Sequence, residues 1–275
     1  MVGNKDKVVL VVGSATGMGN ATVKMLLEEG AKVIAFDNSE DNIDDLKDEI
    51  EDEIPDAPGS LDIYMGDITD KDAREGVLAH IEETYGTLDS LLYVVGALDL
   101  TCPPHKTDDE LWDYVMDVNV SSAHKLVRDA LPMLLDHDGP AANVVFVGSV
   151  GGYVGSSSGA SYIASKHAIQ GLAKNYAWSY RLRNLRVNVV NPGAISTQIL
   201  ANAMEKWPDR DVMDPEGADL YNHKGIVSLG VNADGSSMIG EAEDIARAIL
   251  FCIDDDNKYL NGAFITVDGG WTASC

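Results

Sequence analysis

Short apolar runs alternate along this chain with longer amphipathic stretches. Val8–Val12 is apolar throughout and almost wholly β-branched, and it reads as a buried strand. A glycine-rich turn and a helical pattern over Asn20–Glu29 follow, ended by Gly30. Lys32–Phe36, Leu61–Met65, Leu88–Val95, Asn143–Val147, Arg186–Val190 and Ala263–Val267 read as further short strands. Helical periodicity covers Asp70–Tyr85, with Val77, Leu78 and Ile81 inward, then Thr107–Leu135, a long stretch from Ala160, and Ala242–Ile253. Regular alternation of strand and helix predicts an α/β fold: a doubly wound, Rossmann-like parallel sheet of about seven strands with helices on both faces. No repeat, linker or low-complexity tract interrupts it, so all 275 residues are expected to form a single dinucleotide-binding and catalytic domain. Residues 198–240 lack a clear period, hold Met204, Trp207, Met213, Tyr221 and Met238, and are expected to form a partly helical lid over a substrate.

In such sheets ligands lie beyond the carboxyl ends of the strands. Gly13, Asp37, Asp67, Gly96, Ser149 and Asn191 all fall at those ends. The first is part of Gly13-Ser14-Ala15-Thr16-Gly17-Met18-Gly19, set between a strand and a helix. That arrangement aims backbone N–H groups and a helix N-terminus at a phosphate, and the glycines allow close approach. Asp37, followed by Asn38, lies at the end of the second strand, where a carboxylate meets adenosine ribose hydroxyls and repels the extra phosphate of NADP. The expected cofactor is therefore NAD. The competing structural role for Asp37 is a helix cap, which Ser39 could fill equally well.

The stretch from Ser149 to Lys166 holds the candidate reaction chemistry. A strand ends at Ser149, glycines and serines carry an open loop, and a helical pattern begins at Ala160. Tyr162 and Lys166 are four residues apart and share a helix face. A phenol ordinarily titrates near pH 10, and a neighbouring ammonium lowers that value. Tyr162 is thus expected to act as a general acid or base, with Ser149 holding the substrate oxygen beside it. Asn119 lies mid-helix in the otherwise apolar Val115–Val120 region; it is either satisfied by backbone groups or part of a polar network at the site.

The formal net charge of −25 argues against nucleic-acid and anionic-membrane partners. Much of the acid lies between Asp37 and Glu53, as the solvated face of a helix. No apolar run approaches the roughly 18 residues of a membrane span, and the polar start, Met1–Lys7, does not read as a signal peptide. Cys102, Cys252 and Cys275 have no metal-ligand spacing, so no metal is expected, and the odd count suggests reduced thiols in the cytoplasm.

Together these residues resemble the short-chain dehydrogenase/reductase family over Lys7–Trp271. Gly13, Gly17 and Gly19 match its glycine turn, Asp67 and Ile68 its adenine-contacting pair, and Asn119, Ser149, Tyr162 and Lys166 its catalytic tetrad. Asn191-Pro192-Gly193, with Ile195 and Thr197, matches the segment holding the nicotinamide amide, and Asp268-Gly269-Gly270 the usual ending. One departure stands out. Where the family usually has Asn-Asn-Ala-Gly after its fourth strand, this chain has Tyr93-Val94-Val95-Gly96.

The resemblance implies hydride transfer between NAD and a secondary alcohol, with Tyr162 moving the hydroxyl proton. It also implies that Lys166 lowers the Tyr162 pKa and bonds the ribose, that Asn119 keeps a water in a proton relay, and that the chains form homotetramers. Trp112, Trp178 and Tyr180 fall on or near the assembling helices. Leu98, Leu100, Tyr153, Val154, Ile195, Met204 and Trp207 offer an apolar substrate pocket, which suits a hydroxysteroid or bile acid. Alternatives within the family are a 3-oxoacyl reductase and a sugar or polyol dehydrogenase. A non-catalytic NAD-binding regulator is the alternative of another class.

Overall fold

A computed structural model describes residues 3–136, 139–155, 158–210, 214–217 and 239–273. Seven parallel strands, β1 (Val8–Val12), β2 (Lys32–Asp37), β3 (Ser60–Met65), β4 (Ser90–Tyr93), β5 (Ala142–Val147), β6 (Leu185–Pro192) and β7 (Phe264–Val267), form one sheet in the order β3-β2-β1-β4-β5-β6-β7. The order reverses between β1 and β4, so the carboxyl ends of these two strands flank a crevice.

Both faces of the sheet are covered, which is why its central strands are apolar on successive residues rather than alternate ones. Val8, Leu10 and Val12 point to one face, with Val77 and Ile81 of α3 (Lys71–Tyr85), Leu126 and Val127 of α5 (Ser122–Leu135), and Ile169 and Ala173 of α6 (Ala160–Tyr180). Val9 and Val11 point to the other. There they meet Val23 and Leu26 of α1 (Gly17–Glu28), Ile43 and Leu46 of α2 (Glu40–Glu53), and Ile245 and Ile249 of α8 (Ala242–Ile253). A third, smaller core gathers Leu100, Leu111, Val115, Val118, Ala203 and Trp207 beside the crevice.

The structure departs from the sequence expectations at four places near the crevice. The fourth strand is only Ser90–Tyr93, because the N–H groups of both Val94 and Val95 turn to the single carbonyl of Val12 and the ladder stops. The helical stretch expected over Thr107–Leu135 starts at Asp109, capped by Asp108. It is then divided into α4 (Asp109–Met116) and α5 by a π turn over Asp117–Ser121. The expected lid contains α7 (Ile199–Lys206), but Trp207 is buried in the third core rather than offered to a ligand. Met213, Tyr221 and Met238 lie outside the described residues. Leu100, expected in the substrate pocket, is likewise fully buried in that core. An apolar side chain that can pack against Leu111 and Val115 gains more from burial than from lining an open mouth.

Candidate active site

A cleft of about 550 Å³ opens at the carboxyl ends of β1, β2 and β4. Its wall includes Gly13, Thr16, Gly17, Met18, Gly19, Asp37, Asn38, Asp67, Ile68, Gly96 and Thr197, eleven of the residues expected to hold a dinucleotide. The turn that starts it is sterically tight. Gly13 has φ +79°, and a Cβ there would lie 2.7 Å from the Val95 backbone; a Cβ on Gly19 would collide with the Gly13 carbonyl. Gly17, at φ +53°, faces Thr197, whose side chain would stand 3.2 Å from a Cβ there. The turn and the segment after β6 thus form a cradle narrow enough for backbone groups to reach a ligand, at the N-terminus of α1. Ser14 is fully buried and its hydroxyl has no hydrogen-bond partner.

Asp37 does not cap the following helix; Ser39 does, accepting from Asn42 N at 3.4 Å. The Asp37 carboxylate instead ties the strand end to the glycine turn. Its Oδ2 accepts from Ala15 N at 2.9 Å, and its Oδ1 accepts from Asn38 N at 2.8 Å and Ser39 N at 3.2 Å. Asp67 is held similarly by its own turn, with Oδ1 accepting from Thr69 N at 2.8 Å.

The cleft meets the candidate chemistry at Gly96, where a Cβ would stand 3.3 Å from Lys166 Nζ and 3.6 Å from Asn119 Oδ1. Asn119 sits in the π turn and resolves the alternatives its position left open. It binds backbone: Oδ1 accepts from Ala97 N at 2.7 Å, and Nδ2 donates to Ala97 O at 3.0 Å. Nδ2 also donates to Ser165 Oγ at 2.9 Å, so the same amide joins a polar network on α6. The widened turn is what aims this amide at the chain beyond β4. It supplies there polar contacts that Val94 and Val95 cannot make.

Ser149 closes β5. Its backbone N donates to the Asn191 Oδ1 at 3.1 Å and its hydroxyl accepts from Gly151 N at 3.0 Å. The Ser149 side chain also favours ionisation of the Tyr162 phenol. Lys166 is buried, donates to Val147 O at 3.1 Å, and has its Nζ 5.5 Å from the centre of the Tyr162 ring. Burial pushes the Lys166 ammonium down to about 8. The expected lowering of the Tyr162 pKa by Lys166 is not what this environment produces. Burial of the phenol raises its pKa above the usual value, the Ser149 side chain opposes that rise, and the charge of Asp99 adds to it. Desolvation wins because a phenolate loses more hydration than one hydroxyl donor returns.

Pro192, Gly193 and Ile195 follow β6 on the same side of the sheet, with Gly193 N donating to Val267 O and Ile195 bridged to Gly240. Two residues beside the site hold it together in ways the sequence does not show. Asn191, fully buried, holds Ser149 from the neighbouring strand and leaves its own Nδ2 without a partner. Asp99 carried no signal at all, since its partners lie some sixty residues away.

A short-chain dehydrogenase family model matches residues 7–207. The chain belongs to the short-chain dehydrogenase family. Its relatives include the short chain dehydrogenase adrF of Penicillium roqueforti, 31% identical over 98% of both chains. The 3beta-hydroxysteroid dehydrogenase 2 of Eggerthella lenta is 28% identical over 96% of this chain and 94% of its own. The crystal structure of levodione reductase superposes with a TM-score of 0.81 at 26% identity, over 98% of this chain and 99% of the other. This short-chain dehydrogenase is therefore an oxidoreductase of a family that binds a nicotinamide cofactor. Among the described residues, no helix is long and apolar enough to cross a membrane.

Replacing Asn119 by Ala strips the buried Ala97 of both its hydrogen-bond partners. The expected loss of stability is about 2–4 kcal/mol, measured by urea unfolding. A loss below about 1 kcal/mol would mean that water substitutes for the amide.

Proposed function

We propose that this protein is an NAD(H)-dependent enzyme that interconverts a secondary alcohol and a ketone, with Tyr162 as the acid/base. The observation that carries this reading is the meeting, at Gly96, of a cleft fit for a dinucleotide with a buried Ser149, Tyr162 and Lys166 cluster. Gly13, Ser14, Thr16, Gly17, Met18 and Gly19 would hold the pyrophosphate, Asp37 and Asn38 the adenosine ribose, and Asp67 and Ile68 the adenine. Gly96, Tyr162 and Lys166 would lie along the nicotinamide ribose, and Pro192, Gly193, Ile195 and Thr197 along the nicotinamide amide. The bound nicotinamide supplies the hydride chemistry.

The chain's own residues handle the substrate oxygen. Ser149 orients it. Tyr162, a phenol protonated at neutral pH and held further so by burial, donates a proton to a ketone oxygen or, at higher pH, takes one from an alcohol. Asn119 holds Ala97 and Ser165 in place around them and would keep the water of the proton relay.

The substrate we propose is a hydroxysteroid or bile acid. Support comes from apolar side chains left exposed on segments that follow β5 and β6, Tyr153, Leu200, Met204 and Ile239, in an otherwise acidic protein. Further support is the likeness to a 3beta-hydroxysteroid dehydrogenase. NAD rather than NADP is supported by the Asp37 carboxylate on the cleft wall, whose oxygens are fixed by three backbone N–H groups. A homotetramer is supported by Trp112 and Trp178, whose indoles remain 39% and 68% exposed rather than packed in the core. The reduced thiols of Cys102 and Cys252 agree with a cytoplasmic setting.

Incubating the protein with NAD and a panel of hydroxysteroids is expected to produce reduced nicotinamide with at least one of them. Tyr162→Phe is expected to lose about a thousandfold of that turnover while keeping cofactor affinity; substantial residual turnover would remove Tyr162 from the role. Fluorescence titration should give NADPH a dissociation constant about tenfold or more above that of NADH, a penalty of about 1.4 kcal/mol or more; tighter NADPH binding would reverse the assignment of Asp37. Light scattering should return about four times the chain mass of 29.5 kDa, and a monomer would end the tetramer proposal.

A further inference from the structure

The segment that leaves β4 carries a carboxylate aimed at the start of the catalytic helix. Asp99 is fully buried. Its Oδ1 accepts from Ser158 Oγ at 2.9 Å and Gly159 N at 3.0 Å. Its Oδ2 accepts from Ser161 Oγ at 3.2 Å and Tyr162 N at 2.9 Å. All four partners donate, so the group accepts throughout, as a carboxylate does. The cap position of α6 is Gly159, which has no side chain to satisfy the free N–H groups of the first turn. Asp99 does so from a different element, and its negative charge faces the positive end of the helix.

Two features show the backbone shaped around this contact. A Cβ on Gly159 would lie 2.6 Å from Asp99 Oδ2, so only glycine permits the approach. Immediately after Asp99, Leu100 and Thr101 take φ of 60° and 52°, a left-handed conformation that side chains other than glycine adopt rarely and at a cost.

We propose that Asp99 is a positioning residue for the reaction: it clamps the first turn of α6 from the loop after β4, fixing where the Tyr162 phenol stands and setting a permanent negative charge beside it. The proposal rests on the reading of Tyr162 as the acid/base. Among the described residues, Lys166 of the same helix lies over the Tyr162 ring, and the Ser149 side chain and the Asp99 charge also bear on its ionisation. The Asp99 charge opposes ionisation of the phenol and the Ser149 side chain favours it. Asp99 therefore favours a protonated Tyr162, ready to donate.

The test follows Tyr162 ionisation directly by ultraviolet difference absorbance of the full-length protein, each form measured against its own Tyr162→Phe counterpart. No turnover is needed. Asp99→Asn removes the charge while keeping the size, and the Tyr162 midpoint should fall by half a pH unit or more. Replacing Ser158 and Ser161 together by Ala leaves the carboxylate with two donors fewer, so its charge acts more strongly and the midpoint should rise. A merely structural role does not move the midpoint in opposite directions. Should Asp99→Asn fail to fold, the serine pair carries the same test. An unmoved midpoint in the variants that fold, or a shift of both in one direction, would overturn the proposal. With NADH and the ketone of whichever hydroxysteroid the panel selects, Asp99→Asn should also turn over at least tenfold more slowly at neutral pH. A wild-type protein inert to the whole panel would count against the functional reading, while the titration would still decide the role of Asp99.

Discussion

Polar groups brought to the end of an apolar sheet must find partners there, and the arrangement of this site follows from that requirement. The sheet is buried on both faces, so Asn119, Ser149, Asn191, Lys166 and Asp99 reach its carboxyl edge with little water to solvate them. An unmade hydrogen bond in such surroundings costs more than a made one contributes. Each group is accordingly tied to backbone from another element: Asn119 to Ala97, Asn191 to Ser149, Lys166 to Val147, and Asp99 to Gly159 and Tyr162. Among the described residues, Ser14 Oγ and Asn191 Nδ2 are two of the buried atoms without a partner, and both sit beside this site.

The same economy explains why the unusual Val94-Val95 pair is tolerated. Those residues continue the apolar packing of β4 up to the crevice, with Val95 lying against Gly13. The polar work falls to Asn119 and Asp99, which grip the chain on either side of Leu98. The third core, under Leu100 and Trp207, then holds that loop from beneath and joins it to α7.

Much of this was legible in the sequence. Strands such as Val8–Val12 announce themselves because burial on both faces demands unbroken apolar runs, and turn chemistry fixes the residues at their ends. The glycine turn, Asp37, Ser149, Tyr162 and Lys166 were found in this way, and the structure gathers them at the strand ends. What was hidden depends on distance in sequence or on local backbone choice. Asp99 meets residues 158–162 only after folding, and no periodicity marks it. The π turn is invisible because poor helix formers such as Val118, Asn119 and Val120 weaken a helix without marking where one of its turns widens. The burial that pushes the Tyr162 pKa up has no signal in its spacing from Lys166. Trp207 and Leu100 were assigned to the pocket on hydrophobicity alone, which says that a side chain seeks cover but not which cover it finds.

The π turn has a further consequence for how the helical stretch around it is read. Before it, Leu111 and Val115 face the small core beside the crevice; after it, Ala123, Leu126 and Val127 face the main sheet. Each residue of an α-helix advances the face by about 100°, so an unbroken helix would set these two stripes about a quarter-turn apart, and one additional residue in the turn works as the phase shifter between them. The stretch is one rod serving two clients, and the offset between them is stored in a single turn. Removing one residue there would re-phase everything downstream, swinging the α5 stripe away from the sheet even though every side chain in it stayed the same.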